Sequence, residues 1–160
     1  MLVLAINPGS TSTKIAVFDE NQRRVAEKTV YQSTAESCAL DGVLAQKDMR
    51  MGYVLDTLEE NGIAPESLSA VVGRGGIVKP IDSGTYLINE AMIRDLKNAS
   101  VLVHASSLGG IIAYEIAQKY GLPAYVVDPV VVDEMDPCAK LSGIPGIERR
   151  SVFHALNTKQ

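Results

Sequence analysis

The groups in this sequence that could do chemistry sit in two short turns and around three isolated side chains. Residues 7–13, Asn-Pro-Gly-Ser-Thr-Ser-Thr, set strong turn chemistry beside four consecutive hydroxyls, Ser10 to Thr13. A loop crowded with amide N–H and hydroxyl donors suits the oxygens of a phosphate. Residues 73–76, Gly-Arg-Gly-Gly, hold one arginine among glycines that let backbone come close to whatever it binds. Arg74 suits the negative charge of a transferring phosphoryl group or a carboxylate. Asp128, before Pro129, suits Mg2+ at a phosphate site, because hard cations take carboxylate oxygens and waters. His104 precedes a helix start, a natural anion position. His154, beside Phe153, reads on composition alone as a structural histidine near an apolar face.

Each feature also has a plainer reading. The first turn could belong to an ordinary hairpin, Arg74 could be a solvated turn arginine, Asp128 a turn-forming Asp-Pro, and His104 a packed loop histidine. A P-loop is excluded, because there is no GxxxxGK[ST] spacing and a strand follows the turn where a P-loop needs a helix.

Composition narrows the class. The chain of 160 residues is long enough for one domain with a real core, and its 46% hydrophobic and 21% charged content is globular. A net charge of -4 argues against a nucleic-acid partner. No apolar run approaches the ~20 residues that span a bilayer, and the N-terminus has no basic n-region, so neither a membrane nor a secretion signal is expected. Cys38 and Cys138, with no CxxC and no metal-ligand spacing, fit reduced thiols in the cytoplasm, with a disulfide between them as the alternative. His104 and His154 build no zinc site with them.

The elements that must position these residues alternate between strand and helix. Leu2–Ile6 reads as a strand buried on both faces, Lys14–Phe18 as a second and Arg24–Gln32 as a third, antiparallel one. Residues 33–46 read as loop with some helix. Lys47–Asn61 reads as an amphipathic helix with Met51, Val54, Leu55 and Leu58 on its stripe. Leu68–Val72 is a buried strand, Ile81–Ile88 is extended, and Asn89 caps a helix through Lys97. Ser106 or Ser107 caps another through Tyr120, with Gly109 and Gly110 in its first turn, where another backbone or a ligand must come close. Ala124–Val127 is a last buried strand, and a final helix opens near Ile147. Three buried strands thus end at Asn7, Arg74 and Asp128. If they are parallel neighbours, these residues face one crevice, since ligands of α/β sheets sit outside the carboxyl ends of the strands.

Together the stretches INPGSTSTKIAVF, VVGRGG, HASSLGGIIA, VVDPVVVDEM and LSGIPGIERRSVFHALN resemble the butyrate kinases. These belong with the acetate kinases in the superfamily of sugar kinases, actin and the heat-shock chaperone ATPases. The resemblance covers nearly the whole chain and is weakest in residues 33–50. It implies an α/β, ribonuclease-H-like (actin-like ATPase) domain with a mixed sheet and helices on both faces. It implies a kinase that reversibly transfers the γ-phosphoryl group of ATP, with Mg2+, to butyrate, giving butyryl phosphate and ADP.

Carried over by motif, Asn7 touches phosphate with Ser10 and Ser12 beside it, and Arg74 is the catalytic arginine. Asp128 is the metal-linked aspartate, His154 a transition-state histidine and His104 a second active-site histidine. Acetate kinases carry a bulkier apolar residue where this chain has Gly76; a small residue there would leave room for a longer acyl chain, with Val103 and Phe153 lining the same pocket.

The family has a second lobe that binds adenosine. Residues 1–150 are therefore expected to be the N-terminal lobe and residues 151–160 the start of an interlobe helix. The chain ends before the second lobe, so it is expected to be inactive alone and part of a homo-oligomer when whole. The chemistry asks little of the residues present. A fatty-acid carboxylate, with a pKa near ~4.3, is already ionised at neutral pH and needs no general base. The protein must hold two anions together and neutralise charge during an in-line transfer. Isobutyrate or acetate are alternatives within this class. A non-catalytic actin-like binding or assembly module is the alternative outside it.

Overall fold

The computed structural model describes residues 1–32, 42–98 and 104–151. Its first strand, β1 (Leu2–Pro8), pairs antiparallel with β2 (Ser12–Asp19) across the Asn-Pro-Gly turn, and β2 pairs antiparallel with β3 (Arg24–Tyr31). On its other side β1 pairs parallel with β4 (Ala70–Arg74), and β4 pairs parallel with β6 (Ala124–Val127). A short edge strand, β5 (Thr85–Leu87), runs antiparallel to β6. The order is β3-β2-β1-β4-β6-β5. The sheet is mixed because the hairpins reverse direction in tight turns, whereas the parallel pairs need helical crossovers.

Helices α1 (Lys47–Glu60), α2 (Glu90–Lys97) and α3 (Ser107–Tyr120) supply the cover. Leu4 and Ile6 of β1, Ile15 and Val17 of β2, Val71 of β4 and Val126 of β6 are buried with Ile111, Ile112 and Ile116 of α3. Alternate residues, Val3, Ala5, Val72 and Tyr125, are only half-buried. Period-2 alternation therefore sends one face of the sheet under the helices. Among the described residues the three helices pack against that face, and the reading of β1 as buried on both faces is corrected accordingly.

Local chemistry explains the helix ends. The Asn89 side chain accepts from Met92 N at 2.9 Å, as the sequence predicts. Gly121 closes α3 in the left-handed region at φ 68°. The start of α3 differs from expectation, because neither Ser106 nor Ser107 caps it with a side chain. The amides of Ser107, Leu108 and Gly109 instead donate to the carbonyls of His104, Ala105 and Ser106. Lys47 of α1 bonds Glu115 of α3 at 2.6 Å and ties the two helices together.

The helix expected from Ile147 does not begin there. Glu148 pairs with Leu141 in an isolated bridge, and Ile147 N donates to Ile144 O. No helix among the described residues is long and apolar enough to cross a membrane.

Candidate functional site

Register brings the first two candidate residues together. Ile6 of β1 lies opposite Gly73 of β4, so Asn7 and Arg74 follow side by side at the carboxyl ends of two parallel strands. Arg74 Nη1 donates to Asn7 Oδ1 at 3.2 Å, and both side chains are half-buried. Arg74 in turn lies opposite Val127 of β6, which sets Asp128 one residue further along the same sheet edge.

The glycines around Arg74 have a common cause. A Cβ on Gly73 would lie 2.1 Å from the carbonyl oxygen of Gly109, and one on Gly109 would lie 2.5 Å from the carbonyl oxygen of Arg74. Strand β4 and the first turn of α3 therefore touch backbone to backbone. The close neighbour demanded by Gly109 and Gly110 is a strand and a packed leucine: Gly110 faces Leu96 and Gly109 also abuts Pro8. Beyond Arg74, Gly75 packs on Pro129 and Gly76 on Ser107. Four of the five motifs that carry candidate residues thus meet in one cluster of contacts at the end of the sheet.

Asp128 adopts φ 42°, a left-handed conformation that aspartate tolerates better than most residues. Its backbone N–H donates to Gly84 O at 3.1 Å, while its Oδ1 accepts from Gly84 N at 2.8 Å. One carboxylate oxygen is thus held by the loop before β5. Among the described residues no group of three or more His, Cys, Asp or Glu could hold a metal ion. That donor set fits Mg2+ carried largely by phosphates and waters with a single protein carboxylate, and does not fit an all-protein cage.

His104 is exposed, three residues before the Ser107 that meets Gly76. Ser106 N donates to His104 Nδ1 at 3.2 Å, which leaves Nε2 as the protonated nitrogen of the neutral ring. Ser10 is exposed and Ser12 half-buried in the β1–β2 turn, where Gly9 N donates to Ser12 O at 2.7 Å. Val103, Phe153 and His154 lie outside the described residues. The acidic stretch after Asp128 is partly neutralised: Lys140 Nζ sits 2.9 Å from Asp133 and holds its carboxyl below the ordinary carboxylate value.

Gly76 requires a correction. The space beside it is filled by Ser107, whose Cα and Oγ would both lie 2.4 Å from an added Cβ. Its small size answers to the packing of α3, so room for a longer acyl chain does not follow from it. Gly76→Val is expected to destabilise the fold by about 1–3 kcal/mol through overpacking, read as a lowered melting temperature. An unchanged melting temperature together with a preference moved toward acetate would restore the pocket reading.

Sequence reasoning missed the groups that hold the first turn from below. Arg50 of α1 is fully buried, at 0% exposure, and Thr13 and Gln32 are buried beside it. The signal was in the helix period: Arg50 stands four residues before the buried Val54, on the stripe that continues through Thr57 and Leu58.

No family model matches the sequence. Solved structures do match the fold. An acetate kinase from Porphyromonas gingivalis superposes with a TM-score of 0.63 at 15% identity, over 99% of this chain and 46% of that one. An acetate kinase from Entamoeba histolytica gives 0.60 at 20% identity, over 91% of this chain and 39% of that one. A propionate kinase from Francisella tularensis subsp. tularensis SCHU S4 gives 0.60 at 20% identity, over 91% and 41%.

The chain has the ribonuclease-H-like fold of the actin-like ATPases. At these identities the likeness is one of fold. The chain spans less than half the length of the kinase structures it matches. Within this fold the contact between Asn7 and Arg74 lies where two central parallel strands end, the edge at which α/β sheets meet their ligands.

Proposed function

We propose that the chain is the N-terminal lobe of a short-chain carboxylate kinase that uses Mg-ATP to phosphorylate butyrate, or makes ATP in the reverse direction. The observation that carries this reading is the Arg74–Asn7 contact at the shared carboxyl ends of β1 and β4, beside the hydroxyl-rich turn. The fold shared with acetate and propionate kinases supports the choice of a carboxylate as acceptor. The choice of butyrate rests on the motif resemblance.

In this reading the donors of Asn7, Ser10 and Ser12 bind phosphate oxygens. Arg74, aligned by Asn7, faces the transferring group and offsets its negative charge. The carboxylate acceptor arrives ionised, so no residue need remove a proton. Asp128 would hold Mg2+, which supplies charge neutralisation on the phosphates. His104, with its Nε2 protonated, offers a donor to a substrate oxygen, and His154 is proposed for the transition state. A second lobe would bind the adenosine.

The test is an acyl-phosphate assay by hydroxamate trapping, with Mg-ATP and acetate, propionate, butyrate or isobutyrate. The full-length protein is expected to form butyryl phosphate, and the 160-residue chain alone none. Absence of acyl phosphate from the full-length protein with every acid would overturn the reading. Butyryl phosphate from the chain alone would overturn the need for a second lobe.

A further inference from the structure

Arg50 is a cation in the core, and the chemistry proposed above makes no use of it. Its guanidinium has 0% exposure, and among the described residues it bonds no carboxylate. Nε and Nη2 donate to Gln46 Oε1, at 3.2 and 2.8 Å, one turn earlier on α1. Nη1 points the other way and donates to Gly9 O at 2.9 Å, Ser12 O at 3.3 Å and Thr13 Oγ1 at 3.0 Å. Burial pulls the guanidinium below its ordinary pKa. Arginine nonetheless stays charged in proteins, so these are charge-assisted bonds. Burying a charge is costly, and apolar residues would fill the same space at lower cost. A residue kept there at such cost calls for a role beyond packing.

The role follows from which atoms it holds. A turn that binds an anion must offer N–H and O–H groups and turn its carbonyls away. Arg50 engages the carbonyls of Gly9 and Ser12 from below. Gln32 completes the cradle: its N–H donates to Thr11 O at 2.9 Å, and its Nε2 to Thr13 Oγ1 at 3.3 Å. Three carbonyl acceptors of the turn, those of Gly9, Thr11 and Ser12, are thus bound to buried donors, while Ser10 and Thr11 stay exposed above. The cation lies buried behind this turn, where its field is weakly screened.

We propose that Arg50 is a positioning residue of the site, one that holds the carbonyls of Gly9 and Ser12 inward so that they do not face a phosphate bound by the turn. The proposal rests on the phosphate role given to this turn under the proposed function. It is tested in the full-length protein with Arg50→Met, which keeps the bulk and removes the donors, and Arg50→Lys, which keeps the charge and loses the fork. The first measurement is amide hydrogen exchange. Arg50→Met is expected to speed exchange at Gly9 while leaving Val71 and Val126 of the central strands unchanged.

The second measurement is affinity. Arg50→Met is expected to raise the KM for Mg-ATP by roughly 10–100-fold, the usual loss when a supporting shell is removed, with the KM for butyrate within about twofold. Arg50→Lys is expected to fall between Met and wild type on both measures. Unchanged exchange at Gly9, or exchange that rises uniformly across the sheet with both KM values, would overturn the proposal. If the wild-type protein phosphorylates no carboxylate, the functional reading fails separately. Direct titration with Mg-ATP then decides on Arg50: equal affinity in wild type and Arg50→Met overturns the proposal, and weakened affinity supports it.

Discussion

Gly73→Ala is expected to cost more stability than any other single-methyl change in this chain, at least about 3 kcal/mol, because overpacking here has no flexible partner to absorb it. The added Cβ would fall 2.1 Å from Gly109 O, 2.4 Å from Gly109 C and 2.8 Å from Gly110 N. All three are backbone atoms of the first turn of α3, so no rotamer change relieves the clash. Strand and helix would have to part, and α3 carries Ile111, Ile112 and Ile116 into the core. For a chain of this size the loss corresponds to a melting temperature lowered by roughly 6–12 °C.

Gly52→Ala is the matched control. It adds the same methyl inside α1, where nothing lies within 4 Å, and helix propensity favours it by roughly 1 kcal/mol. Melting both variants checks the argument. A Gly73→Ala protein as stable as Gly52→Ala would mean that β4 and α3 are not in backbone contact, and the convergence of the four motifs would lose its cause.

That contact also shows how far the sequence could be read. Glycine at 109 and 110, in the first turn of a helix, announces that something comes close, but propensity does not say what. The answer depends on β4 crossing beneath α3, a tertiary fact. The parallel order of β1, β4 and β6 was legible because helix-forming stretches separate them and hairpin turns do not. The Asn89 cap was legible because it is purely local. The side-chain cap at Ser106 was not found, since the carbonyls of His104 and Ala105 take the amides first.

Arg50 escaped because a charged residue on a helix is ordinarily read as solvent-facing. Only the continuation of the Val54 stripe one turn back marks it as buried. Gly76 was read for the space it leaves, when what matters is the atom already occupying that space. The candidate residues were chosen by type. Their contacts were fixed by register, which a single strand does not reveal.

Register is also why Arg74→Ala is expected to have the largest effect on turnover. Arg74 reaches Asn7 because Ile6 and Gly73 are paired one step earlier, and its own peptide is clasped by Gly109. The guanidinium is therefore held in place by Asn7, and if it faces the transferring group as proposed, a preorganised donor is worth far more than a mobile one. Its removal is expected to lower kcat for butyryl phosphate formation in the full-length protein by roughly 100–1,000-fold, about 3 kcal/mol in barrier height. The half-buried side chain leaves stability nearly unchanged, so circular dichroism and melting should match wild type.

Arg74→Lys should recover little of the rate, because a point charge on a flexible stem cannot keep the fork that meets both Asn7 and a phosphoryl oxygen. Asn7→Ala should lose less than Arg74→Ala, since it frees the guanidinium without removing it. A fully folded Arg74→Ala protein with near-normal kcat would rule out charge stabilisation by this arginine. The Asn7–Arg74 pair would then be a structural tie between β1 and β4, and the transferring group would have to be held elsewhere on the molecule.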